Sequence, residues 1–301
     1  MSDFTPATRN ASWWSGDSRK AANGKANEVI LTKQGKLPIP DLSGIEVVQM
    51  GHVMEPVIGR LAQAKLGIEL SKIEDFYTHP TERWMKSHFD FVGEQDGETV
   101  LVEAKNYNAA TRNKFDEESG LMPPADMAQL VHEATVFGCS RIVLAVLFGG
   151  AEFVTIPLTV TDQMKEDHLK TMAVYWGYVV SGNTMPPETA EQARLIYPVS
   201  AASTKIANSA AEDAAMMLFN IKLQIKTLED QEDMLASRLQ GYMAESESLM
   251  SVDGRVLATW KSAKSSTKFS ATLFKDSMPE VYNKYVVETP GSRRFLVKGS
   301  K

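Results

Sequence analysis

The stretch "HFDFVGEQDGETVLVEAKN", residues 88–106, decides the fold. Two short β-rich apolar runs flank Gln95, Asp96 and Gly97, and Asp-Gly between such runs is a strong signal for a tight hairpin. The runs are therefore expected as antiparallel neighbours. Side chains alternate across a strand, so Glu103 and Lys105 share one face while Val102 and Ala104 share the other. One face is for packing, and the other carries an acid and a base. A turn near residue 96 brings Asp90 close to opposite Glu103, where like charges repel unless something sits between them.

A divalent cation would resolve that conflict. Mg²⁺ takes an oxygen shell with several waters, one or two protein carboxylates and often phosphate oxygens. It lowers the pKa of a bound water and stabilises charge on a phosphate in flight. Lys105 beside it would orient or deprotonate the attacking water, and Glu55 on a preceding helix could add a carboxylate. The chemistry implied is phosphodiester hydrolysis. The residues alone leave a second reading open: a surface hairpin with a cross-strand salt bridge. Glu103-Ala-Lys105 is the only acid–x–lysine triplet in the chain, and it lies in an apolar strand behind an Asp.

Outward from the hairpin, the elements alternate. Met50, Met54, Val57, Ile58, Leu61 and Ala62 recur at helical spacing, ended by Gly67. After the hairpin, Pro123 and Pro124 open a helix whose Met127, Leu130, Val131, Ala134 and Phe137 form one stripe closed by Gly138. "RIVLAVLFG" and "EFVTIPLTV" read as strands, the first apolar enough to be central, and residues 161–181 as a helix. This order predicts an α/β domain over residues 1–200 with a mixed sheet and helices against it. "SGNTMPPETAEQARLIYPVS" carries the loop signals of a linker. Within 205–250, residues from Ala214 to Tyr242 fall into a heptad seam interrupted by Glu232. That seam reads equally as a coiled-coil stripe or as an amphipathic face packed on its own domain. Residues 251–301, with "DGRVLATWK", "KFSATLF" and "RRFLVK", predict a small basic β-rich tail.

Charge is uneven although the total is −6. Residues 1–40 hold six Lys/Arg against three Asp/Glu, residues 41–250 hold 16 against 31, and residues 251–301 hold ten against four. Basic ends suit a phosphate backbone and an acidic middle suits a hard cation. No apolar run approaches the roughly 20 residues of a membrane span, and the polar start MSDFTPATRN does not read as a signal peptide. A cytoplasmic location is expected. Cys139 is the single cysteine, which excludes an internal disulfide or a four-cysteine metal site. His52, His79, His88, His132 and His168 have no zinc spacing.

The stretches "GHVMEP", "HFDFV", "VLVEAKN" and "MAQLVHEA" together resemble the PD-(D/E)XK nucleases, in particular the YqaJ-type viral recombinases that include bacteriophage lambda exonuclease. The resemblance spans roughly residues 9–180. It implies a restriction-endonuclease-like fold in which Asp90, Glu103 and the Ala104 carbonyl bind Mg²⁺, with Mn²⁺ as a substitute. It also implies that Glu55 assists through the metal or its waters, Lys105 acts on the nucleophile and Gln129 positions the site or the DNA. Arg9, Ser18 and Arg19 are candidates for holding a 5′-phosphate, and Trp13 and Trp14 for stacking on a frayed base or for core packing. RecB-like relatives place a tyrosine four residues after the glutamine, where Glu133 stands here.

The function so implied is a Mg²⁺-dependent exonuclease of phage recombination. It would resect linear duplex DNA from its 5′ ends, working with a single-strand annealing protein as a homo-oligomer, a trimer, in a bacterial host's cytoplasm. Two alternatives remain: an endonucleolytic or structure-specific nuclease with the same site, and a noncatalytic DNA-binding scaffold.

Overall fold

The computed structural model describes residues 6–289 and 291–298, and the chain divides into two units between Tyr197 and Pro198. In the first unit five strands form one sheet, ordered as in the chain: β1 (Leu70–Lys72), β2 (Phe91–Gln95), β3 (Glu98–Tyr107), β4 (Arg141–Phe148) and β5 (Glu152–Thr159). All neighbours are antiparallel except β3 and β4. That parallel pair needs a crossover, supplied by helix α3 (Pro124–Phe137). The expected hairpin is present. Asp96 and Gly97 both adopt positive φ, 57° and 79°, as a two-residue primed turn requires. Phe91 faces Val102 in the register, so Asp90 lies at the mouth of the strand pair beside Glu103.

Each face of β3 has its own helix. Val100 and Val102, with Phe91, Val143, Ala145 and Leu147, pack under helix α2 (Glu46–Leu66) through Ile58 and Ala62. Leu101, with Ile142, Leu144, Val146 and Phe148, packs against Leu130 and Ala134 of α3. Period-2 alternation therefore turns Glu103, Lys105 and Tyr107 towards α3. The expected α2 stripe is only half used: Ile58 and Ala62 are buried, whereas Met50 and Leu61 are exposed. The helix starts earlier than its apolar pattern suggests, and its N-terminal half projects beyond the cluster it covers. Gly59 lets α2 come close, since a Cβ there would lie 2.4 Å from Cζ of Phe91.

Helix α1 (Ser15–Lys20) lies in the N-terminal segment, which α3 and helix α4 (Asp162–Ser181) help to bury. Asp17 pairs with Lys33 at 2.6 Å, with both side chains almost wholly buried. A polar chain crosses from α1 to α3 and α4: Ser18 Oγ lies 2.8 Å from His132 Nδ1, and His168 Nε2 lies 3.2 Å from the same nitrogen. His132 Nε2 reaches the Lys86 carbonyl at 3.0 Å. A carbonyl only accepts, so Nε2 carries the proton and Nδ1 is the acceptor.

The segment 181–200 is not a free linker. It contains a short helix, Ala190–Ile196, capped by Thr189 and tied within the first unit to the N-terminal segment by a bond from Gln192 Nε2 to the Gly24 carbonyl at 3.1 Å. The second unit begins with helix α5 (Ser209–Met243), 35 residues long and capped by Asn208. The tail is basic but not β-rich. A small hairpin of β6 (Ser248–Met250) and β7 (Val256–Thr259) is followed by helices α6 (Ala271–Ser277) and α7 (Pro279–Tyr285). "KFSATLF" reads as alternating, yet Ser270 accepts from the Leu273 amide and Pro279 stands at a first helical turn. Those start signals outweigh a few alternating residues. "RRFLVK" is irregular. Among the described residues no helix is long and apolar enough to cross a membrane.

Candidate active site

The centre lies between the end of the hairpin and α3. Asp90 is held by the backbone, its Oδ2 accepting from the Ala104 amide at 2.8 Å. Glu103 is 4% exposed. Its Oε1 accepts from Lys105 Nζ and, at 2.6 Å, from Gln129 Nε2. The same Gln129 nitrogen donates to Glu133 Oε1 at 2.9 Å. Gln129 and Glu133 are one helical turn apart and therefore face β3 together.

This cluster is electrostatically frustrated. Burial, followed by the charge of Glu103, pushes the Asp90 carboxyl well above the ordinary value. Burial and Glu103 act on Glu133 in the same direction. Burial would lower the pKa of the Lys105 ammonium, but Glu103 and Asp90 more than offset it and leave it raised. Three acids, Glu103 and Glu133 buried and Asp90 half-buried, thus share one cation. Among the described residues no group of three or more His, Cys, Asp or Glu side chains is arranged to hold a metal ion. What the cluster offers is two oxygen donors, Asp90 and Glu103, which repel each other. That fits a hard divalent cation that completes its shell with water and substrate oxygens.

Glu55, on α2, pairs with Lys72 at 3.1 Å, close enough that its charge raises the Asp90 pKa. It flanks the pair without joining it. Arg19 comes to the end of β3: its Nε donates to Asp126 Oδ1 at 3.1 Å and its Nη2 to Tyr107 Oη at 2.8 Å, while Tyr107 donates to Asp126 Oδ1 at 2.6 Å. Arg9 lies elsewhere, near His88, whose pKa burial and then the Arg9 charge lower. Ser18 is a correction to the sequence reading. It is wholly buried, with its hydroxyl between Trp13 Nε1, His132 and Met172, so it has no surface for a phosphate. Trp13 and Trp14 are buried at 0% and 5% exposure, which leaves them to core packing and not to base stacking.

Asp90, Glu103 and Lys105 are thus brought together as the hairpin spacing implied, with Gln129 beside them as the resemblance implied. Tyr107 and Asp126 were not singled out in the sequence, and Glu133 stood out only as a departure from the RecB-like pattern. Their signals were present: Tyr107 continues the 103–105 face by one more alternation, and Asp126 and Glu133 flank Gln129 at helical spacing.

Residues 14–140 match the family model of the YqaJ-like viral recombinase domain. No curated protein sequence matches the chain. Similar solved structures include an alkaline exonuclease, LHK-Exo, from Laribacter hongkongensis, with a TM-score of 0.48, 14% identity, and 58% of this chain and 91% of that one covered. A phage-related exonuclease from Haemophilus somnus 129PT gives a TM-score of 0.39 and 11% identity, covering 55% of this chain and 82% of that one. The matched segment, which is similar to a YqaJ-like viral recombinase domain, holds Glu55, Asp90, Glu103, Lys105 and Gln129 alike.

Proposed function

We propose that the protein is a Mg²⁺-dependent deoxyribonuclease that digests linear duplex DNA from its 5′ ends and leaves 3′ single strands for annealing. The observation that carries this reading is a pair of mutually repelling carboxylates, half-buried Asp90 and buried Glu103, beside Lys105 in a segment that matches the viral-recombinase family model. Asp90 and Glu103 would hold a Mg²⁺ ion, or Mn²⁺ in its place, which when bound would supply an activated water and a positive charge for the phosphate oxygens.

The chain's own residues do the rest. Asp90 and Glu103 offer the carboxylate oxygens, the Ala104 carbonyl follows Glu103 directly in the strand, and Glu55 acts from the flank through water. Gln129 fixes Glu103 by its amide and leaves the second carboxylate oxygen for the cation. Lys105, kept charged by its acidic neighbours, orients the attacking water and balances charge on the phosphate. Arg19 is the candidate phosphate ligand. A homo-oligomer, a trimer as in the resembled family, and a single-strand annealing protein complete the reading.

The test is purified protein with Mg²⁺ on 5′-phosphorylated linear duplex and on closed circular duplex, with Glu103→Ala as control. Loss of the linear DNA alone is expected, with a rate at least about a thousandfold lower for Glu103→Ala. Cutting of the circle would favour an endonuclease. Binding of both DNAs without cleavage would favour a DNA-binding scaffold.

A further inference from the structure

Lys105 and Tyr107 stand two residues apart on the same face of β3, about 6.6 Å along the strand. Tyr107 therefore occupies the next step out from the catalytic cluster, at a spacing comparable with that between neighbouring phosphates of one DNA strand. Its hydroxyl has one proton, and a carboxylate can only accept, so that proton goes to Asp126 and a lone pair receives Arg19 Nη2. Asp126 also accepts from Arg19 Nε and has a side-chain exposure of only 2%. The guanidinium is thus gripped along one edge by two groups from two different elements, β3 and α3. Its other edge is open: the side chain is 39% exposed, and two of its five N–H groups are the ones used. The remaining fork is the geometry that takes phosphate oxygens two at a time. Burial, then the Asp126 charge, raises the Tyr107 pKa, so the hydroxyl stays a donor throughout the neutral range.

We propose that Tyr107 and Asp126 are positioning residues that lock the Arg19 guanidinium to receive a phosphate of the DNA strand entering the site. This rests on the nuclease reading and adds to it two residues and a mechanism of orientation. A simple anchoring salt bridge would need the carboxylate alone. The hydroxyl adds a second fixed point and so sets the plane of the fork.

The full chain is compared with Arg19→Ala, Tyr107→Phe and Asp126→Asn on duplexes ending in a 5′-phosphate or a 5′-hydroxyl. Cleavage is followed with Mg²⁺, and equilibrium binding is read by fluorescence anisotropy with Ca²⁺ in its place. Arg19→Ala should raise KM and Kd roughly 10- to 100-fold, and each positioning variant about fivefold, with kcat changing less. Increases confined to the phosphorylated end identify the terminal phosphate as the ligand, and equal increases on both ends identify an internal phosphodiester. If Arg19→Ala weakens binding while Tyr107→Phe and Asp126→Asn leave KM and Kd unchanged, the positioning role is overturned. Should Arg19→Ala itself change neither constant, the phosphate role falls and takes the positioning role with it. Absence of cleavage by the parent chain would instead overturn the nuclease reading, while the binding arm would still decide this one. A collapse of Tm in Asp126→Asn leaves the decision to Tyr107→Phe, which removes a single oxygen.

Discussion

The two units bury opposite kinds of residue. Up to Tyr197 the chain encloses not only a hydrophobic core but also Glu103, Asp126, Gln129, His132 and Glu133, polar groups that water would solvate more cheaply. After Pro198, Met243 is the one buried side chain among the described residues. There the seam of α5 is exposed, with Ile221 and Ile225 at 47%, Leu228 at 62% and Leu235 at 54%. The first unit spends stability to hold charges where they are uncomfortable. The second holds apolar groups where they are uncomfortable and has no core of its own to relieve them. The first arrangement is what the cation and phosphate of the proposed function would relieve, and the second is an apolar stripe left open to solvent.

That contrast can be broken at either end, and the largest effect is expected at the carboxylates. Asp90→Asn keeps an acceptor for the Ala104 amide but removes the like charge beside Glu103. Cleavage should fall about a thousandfold, while stability holds or rises by roughly 1 kcal/mol, about 2–4 °C in Tm. A clear drop in Tm by calorimetry would show that the pair is not frustrated.

Next is pH. Burial holds His168 down to about 4 and His132 well below its ordinary value. Both pKa values are lowered on folding, so their stabilising contribution is complete above about 6.5 and is lost as pH falls below it, for His168 down through about 4. For His168 this amounts to up to about 3 kcal/mol. Urea midpoints between pH 7 and pH 4 should show it, and His168→Gln should flatten part of the slope.

The sharpest contrast in stability comes from paired truncations. Leu130→Ala, at a fully buried site, should cost about 2–5 kcal/mol. Leu228→Ala on the α5 seam should cost under about 0.5 kcal/mol in dilute protein. A large cost for Leu228→Ala would mean that the seam is covered in solution, and its dependence on protein concentration would say whether a second copy covers it.

The hairpin was legible because two independent signals agreed: a primed-turn dipeptide and period-2 alternation on both sides of it. Those fixed the face of Glu103 and Lys105, whereas Gln129 was implied by the family resemblance alone. Depth was not legible. Nothing in "SGDSRK" distinguishes Ser18, sealed against His132, from Arg19, which reaches the end of β3, because burial depends on elements more than a hundred residues away. The same holds for Tyr107 and Asp126, whose meeting is a property of the crossover between β3 and α3. In the tail the failure was of another kind. Five or six alternating residues are a weak vote for a strand, and Ser270 and Pro279 give stronger local ones for helices.

Gly59 has a consequence for how this site tolerates change. It stands one helical turn after Glu55 and rests on the ring of Phe91, the residue that follows Asp90. The gap at that contact therefore gauges how far the α2 carboxylate stands from the strand carboxylate, and the side chain that sets the gauge is a hydrogen atom. An alanine at 59 would strengthen the helix as a helix and at the same time lift it off the sheet. A substitution that is conservative by every local measure would thus act at a distance, moving Glu55 without touching it.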